Sequence, residues 1–120
     1  MDRASPTLEE IASRLADFAR ERDWDQFHSP KNLAMALAGE VGELLEHFQW
    51  LTEAQSRELP PDVQDAVALE MADVLLYLVR LADKLGVDLA AAAERKIGLN
   101  AARYPADAVR GSARKHRDAT

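Results

Sequence analysis

The sequence predicts an all-α fold, a four-helix bundle, on three observations. Apolar residues recur at helical spacing in four stretches, start and stop residues bracket those stretches, and no strand-like alternation competes with them. The first stretch begins after Ser5-Pro6-Thr7, where Thr7 and Glu10 have capping-box spacing. Leu8, Ile11, Leu15 and Phe18 follow at helical intervals, and the helix is expected to end near Arg22. Residues 23–28 have no clean period. Ser29-Pro30 then supplies an N-cap with proline at the first helical position, predicting a second helix that runs to about Leu51.

A polar connection carries Thr52 and Gln55 at capping spacing, and Pro60-Pro61-Asp62 ends one element and starts another. The third helix is expected from about Val63 to Leu85, with Gly86 as its C-terminal cap. Asp88 can cap a fourth helix through alanine-rich sequence to Tyr104, where Pro105 forbids continuation. The expected organisation is a flexible N-terminus over residues 1–6, one helical domain over 7–105 and a polar tail over 106–120.

Composition narrows the function. A chain of 120 residues, 48% of them apolar, is enough for one core. The net charge of −6, from 21 acids against 15 bases, argues against a polynucleotide partner, which would favour a basic surface. No apolar run reaches the roughly 20 residues needed to cross a bilayer, and the N-terminus has no signal-peptide core, so no membrane partner and a cytoplasmic setting are expected. Without cysteine, any metal must be held by oxygen or histidine.

Two acidic pairs carry the functional reading. Glu40-Val41-Gly42-Glu43 lies in the second helix and Glu70-Met71-Ala72-Asp73 in the third, so each pair shares one helix face about a turn apart. Such spacings are common on solvated helices, but here the surroundings are apolar. Between Ala66 and Val79 the only formal charges are Glu70 and Asp73, flanked by Val67, Met71, Val74 and Leu78 on one side and by Leu69 and Leu76 on the other. In the second helix Leu33, Leu37, Val41, Leu44 and Phe48 form the expected core stripe, with Glu40 at its edge and Glu43 just beyond.

If the pairs face each other, carboxylates about 5 Å apart repel by roughly 3 kcal/mol per pair at an effective dielectric near 20. A positive charge must lie between them, and all-oxygen ligands suit magnesium, with manganese as the alternative. A di-iron bundle would need Glu-x-x-His motifs, and His47 is preceded at that spacing by Leu44.

Lys96, Asn100 and Arg103 fall in one stripe of the fourth helix, where they could hold phosphate oxygens or simply suit the helix C-terminus. Trp24 and Trp50, the only tryptophans, are candidates for stacking on a base, with packing in the core as the plain alternative. On the wheel Trp50 falls on the side of Glu43. His28 beside Ser29-Pro30 is similarly open, and Tyr77, four residues after Asp73, could reach a sugar or merely pack.

These residues resemble a known family. Glu40-Val41-Gly42-Glu43, Phe48-Gln49-Trp50, the run from Glu70 to Leu78 and Lys96-Ile97-Gly98-Leu99-Asn100 resemble the MazG-like all-α nucleotide pyrophosphohydrolases, most closely their dCTP pyrophosphatase branch. The resemblance extends to Glu21-Arg22-Asp23-Trp24, Phe27-His28, Arg103-Tyr104-Pro105 and Arg110-Gly111-Ser112. It implies a MazG-like bundle assembled as a homotetramer, cleaving a nucleoside triphosphate such as dCTP to the monophosphate and pyrophosphate.

By the same resemblance Glu40, Glu43, Glu70 and Asp73 are metal ligands. Trp24, Trp50 and Tyr77 contact base and sugar, and Lys96, Asn100, Arg103 and Tyr104 contact phosphate. Leucines on more than one side of the third helix fit an oligomer. One departure stands at Leu15, where animal members carry a pocket histidine, which leaves the preferred base open.

The expected mechanism is attack of an activated water on the α-phosphorus. Glu43 orients or deprotonates that water, with Glu40 as the other candidate. In the tail, Arg110, Arg114 and Lys115 either close over phosphates or trail in solvent. Two alternatives stand beside this reading. One is a different triphosphate substrate, such as dUTP, a damaged nucleotide or phosphoribosyl-ATP. The other is a non-catalytic helical oligomerisation or nucleotide-sensing module.

Overall fold

The computed structural model describes residues 4–113, and its backbone divides into two compact units, one ending at Val87 and the other beginning at Asp88. The fold is all-helical. In the first unit α1 spans Leu8–Glu21, a 3₁₀ turn spans Asp25–Phe27, α2 spans Pro30–Glu46, α3 spans Glu53–Arg57 and α4 spans Pro61–Leu85. The second unit holds α5, Leu89–Arg103, and the short α6, Ala106–Val109. Among the described residues no helix is long and apolar enough to cross a membrane.

Local chemistry sets these boundaries. The Thr7 hydroxyl accepts from the Glu10 amide at 3.1 Å while Glu10 reaches back to the Thr7 amide at 3.4 Å, closing the capping box that starts α1. Past α1 the chain turns through Asp23, whose φ of 53° is left-handed, and the Trp24 amide donates to the Ala19 carbonyl at 2.8 Å. Ser29 caps α2 by accepting from the Asn32 amide at 3.1 Å, and the Asn32 side chain ties the preceding turn down by donating to the Phe27 carbonyl at 3.1 Å.

α2 ends at Glu46 rather than near Leu51. From His47 onward three-residue bonds appear, His47 to Leu44 at 3.2 Å, Phe48 to Leu45 at 2.9 Å and Leu51 to Phe48 at 2.9 Å, with one four-residue bond, Gln49 to Leu45 at 3.0 Å, among them. Thr52 is then extended and caps α3 together with Gln55. The polar connection expected there therefore contains a helix of its own. α4 runs 25 residues and ends at Gly86, whose φ of 67° allows Val87 to bond the Ala82 carbonyl at 2.8 Å in a Schellman closure.

Within the first unit α4 is the central element, packing most extensively on α2 and also on α1. The buried apolar residues among those described are Ala19, Leu33, Val67, Val79 and Ala82. Val41 and Met71, expected in the core stripes, are instead 47% and 57% exposed, while Leu33 of α2 and Val67 of α4 are buried. Met35, Leu45 and Leu69 are exposed as well. In the second unit Asp88 caps α5 by accepting from the Ala91 amide at 3.0 Å, and no residue of α5 is buried.

Candidate active site

The packing of α2 on α4 brings acids from both helices together. Carboxylate oxygens of Glu40, Glu43 and Glu70 lie within 4.8 Å of one another, with Glu40 and Glu70 half-buried and Glu43 exposed. The Oε2 atoms of Glu40 and Glu70 are enclosed and have no hydrogen-bond partner. Two enclosed anionic oxygens without donors are costly unless a cation or proton lies between them.

The electrostatics point the same way. Glu70, close enough to share a proton, is the chief reason that Glu40 is pushed above the ordinary carboxylate pKa. Enclosure and the charges of Glu70 and Asp73 add to this, and Glu43 opposes it. The donor set is all carboxylate oxygen, which fits a hard divalent cation.

Asp73 stands apart from this triplet. It is exposed, acts on Glu40 through its charge, and lines a neighbouring cavity of about 220 Å³. Trp24, His28 and Tyr77 line the same cavity, with apolar walls from Leu15, Phe18, Leu33 and Leu76. Trp24 meets Phe18 edge-to-face, ring centroids 5.8 Å apart, and the Arg22 guanidinium lies 3.5 Å from the Phe18 ring centroid on the other contact. The volume falls below the roughly 300–1,000 Å³ of drug-sized pockets, so it suits a single ring better than a whole nucleotide.

One expected site residue of the first unit lies outside the cavity. Trp50 is 86% exposed in the turns that follow α2 and does not line this cavity; the wheel that put it beside Glu43 assumed a helix that has already ended. On α5, Lys96, Asn100 and Arg103 share one exposed face, and the Arg103 guanidinium lies 6.0 Å from the ring centroid of half-buried Tyr104. Arg110 pairs with Asp107 at 3.6 Å, while Arg114 and Lys115 lie outside the described residues.

Arg80 was not anticipated. It lines the cavity at 6% exposure, donating from Nη2 to Asp25 at 2.5 Å, from Nη1 to Asp83 at 3.3 Å and from Nε to His28 Nδ1 at 3.2 Å. Its sequence signal is position: it follows Asp73 by seven residues and Tyr77 by three, on the face that lines the cavity. Lys84 also donates to Asp25, at 2.5 Å.

Comparison with known proteins supplies the family. A model of the MazG-like family matches residues 36–118. The chain belongs to the MazG-like family. It is 51% identical to mouse dCTP pyrophosphatase 1 over 115 residues, covering 94% of this chain and 68% of that protein. It is 50% identical to the human dCTP pyrophosphatase 1 over 113 residues, covering 92% and 66%. It thus spans about two thirds of the length of these curated relatives. A crystal structure of a pyrophosphatase from Archaeoglobus fulgidus superposes with a TM-score of 0.72 at 35% identity, covering 88% of this MazG-like chain and 98% of that one.

Proposed function

We propose that this MazG-like chain is a nucleoside triphosphate pyrophosphohydrolase, acting on dCTP or a modified dCTP and releasing the monophosphate and pyrophosphate. The observation that carries the proposal is the convergence of Glu40, Glu43 and Glu70, two of their oxygens enclosed and partnerless, beside a ring-sized cavity that Asp73 joins to them. Its identity to dCTP pyrophosphatases supports the same reading.

Glu40 and Glu70, together with Glu43 and Asp73, are the residues that would hold magnesium, or manganese in its place. Bound there, the metal would supply neutralisation of the triphosphate and activation of a water. The chain's own groups do the rest. Glu43 is the exposed member of the triplet and therefore the one free to take a proton from the attacking water at the α-phosphorus. Trp24 offers a ring face to the base, and Tyr77 borders the sugar side. Lys96, Asn100, Arg103 and Tyr104 keep their phosphate role, and Trp50 its base role, by resemblance alone.

The small set of buried apolar residues, with Met35, Val41, Leu45, Leu69 and Met71 exposed, supports assembly with further copies of the chain, a homotetramer in this reading. A cytoplasmic location follows from the substrate proposed. The direct test is pyrophosphate release from dCTP, dUTP, dTTP and dATP with magnesium or with chelator. Turnover of dCTP that needs the metal and is lost in Glu43→Ala supports the reading. Nucleotide binding without pyrophosphate across the panel would favour the non-catalytic alternative.

A further inference from the structure

Among the described residues Arg80 is the one charged side chain that is buried, at 6% exposure. A buried guanidinium held by carboxylates contributes little net stability compared with an apolar side chain of similar size. Its place in the cavity wall therefore calls for another explanation. The bond from Nε provides one. Nε carries a single hydrogen and can only donate, so His28 Nδ1, 3.2 Å away, must present a lone pair. A neutral imidazole with a lone pair on Nδ1 carries its proton on Nε2, and Nε2 has no partner among the described residues.

We propose that Arg80 is a positioning residue that locks His28 in the Nε2–H tautomer, making His28 a hydrogen-bond donor to an acceptor on the edge of the ring that enters the cavity. This rests on the reading that the cavity receives the base. The chemistry selected is a heteroaromatic ring with an unprotonated ring nitrogen or a carbonyl at that edge, as a pyrimidine has.

The surroundings keep His28 neutral as the role requires. Enclosure is the largest influence lowering its pKa, the Arg80 and Lys84 charges add to it, and Asp25 partly offsets them. Asp25 and Asp83 balance the Arg80 charge, which leaves the guanidinium fixed in orientation.

The same contacts also dock the turn bearing Asp25 onto α4, so the test must separate positioning from bracing. Nitrogen-15 spectra of the full chain at pH 8 read the tautomer directly, with His28 identified by the signal missing in His28→Gln. The wild type should show one Nε2–H tautomer for His28 and Arg80→Met a mixture. Asp25→Asn loosens the same ion-pair group but spares the Nε to Nδ1 bond, and it should keep the wild-type tautomer.

Added dCMP should shift the His28 Nε2–H signal. Its affinity should fall about tenfold in Arg80→Met, the value of one net hydrogen bond, and less than twofold in Asp25→Asn. An Nδ1–H tautomer in the wild type overturns the proposal, and this outcome is decisive even if Arg80→Met does not fold. Equal loss of dCMP affinity in both variants with the tautomer intact also overturns it, leaving Arg80 as a brace. A His28 signal unmoved by dCMP overturns the donor role. Absence of pyrophosphate release with His28 still answering dCMP would count against the hydrolase reading alone.

Discussion

Glu70→Gln removes one negative charge from a site where three carboxylates approach within 4.8 Å, and the variant should separate stability from function. Two unit charges at that spacing repel by roughly 3 kcal/mol at an effective dielectric near 20, and the solvent reaching exposed Glu43 reduces the Glu43–Glu70 share to about 1 kcal/mol. Counting the Glu43–Glu70 share alone, the variant in chelator should be more stable than wild type by at least about 3–6 °C in melting temperature for a chain of this size.

Magnesium at about 100 times its Kd should stabilise the wild type by about 2.7 kcal/mol, or about 10 °C, and should leave the variant nearly unmoved. Activity should fall by more than the roughly 10–100-fold typical of an outer-shell substitution. Melting followed by circular dichroism, with and without magnesium, and pyrophosphate release on the same samples make the comparison. A variant that melts lower than wild type in chelator, or that retains wild-type turnover, refutes the electrostatic reasoning.

Four further outcomes are expected. Because the folded-state pKa of His28 lies below its ordinary 6.5, the unfolded chain binds the extra proton first, so stability should drop as pH falls below about 6.5 in urea titrations. Glu40 acts oppositely: its raised pKa makes metal-free stability decline as pH rises above 4.5, a trend that magnesium should erase. Trp24→Ala should raise KM for dCTP by about 5–100-fold with kcat little changed, the value of one lost base stack, whereas unchanged KM would remove Trp24 from the pocket. Leu69→Glu, at a residue 70% exposed in the single chain, should dissociate the assembly in light scattering; an unchanged mass would place the interface elsewhere.

What was legible in the sequence was largely local. Thr7 with Glu10, Ser29-Pro30 and Gly86 announce helix ends because capping involves residues three or four apart. The end of α2 was hidden because Phe48 prolongs the apolar stripe, while the switch to three-residue turns leaves no compositional mark. Glu40, Glu43 and Glu70 were identifiable from acids placed among apolar neighbours, yet only packing shows that Asp73 stands outside the triplet and next to the cavity. Arg80 was out of reach for a similar reason. Its partner Asp25 lies 55 positions away, and a helical wheel cannot tell a cation facing a cavity from one facing water.

Hydrolysis of dCTP in ¹⁸O-labelled water with magnesium bears most directly on the chemistry assigned to the three glutamates. The expected product is labelled dCMP with unlabelled pyrophosphate, and no label in either product when chelator replaces the metal. Label in pyrophosphate, or turnover that persists in chelator, would contradict metal-assisted attack at the α-phosphorus.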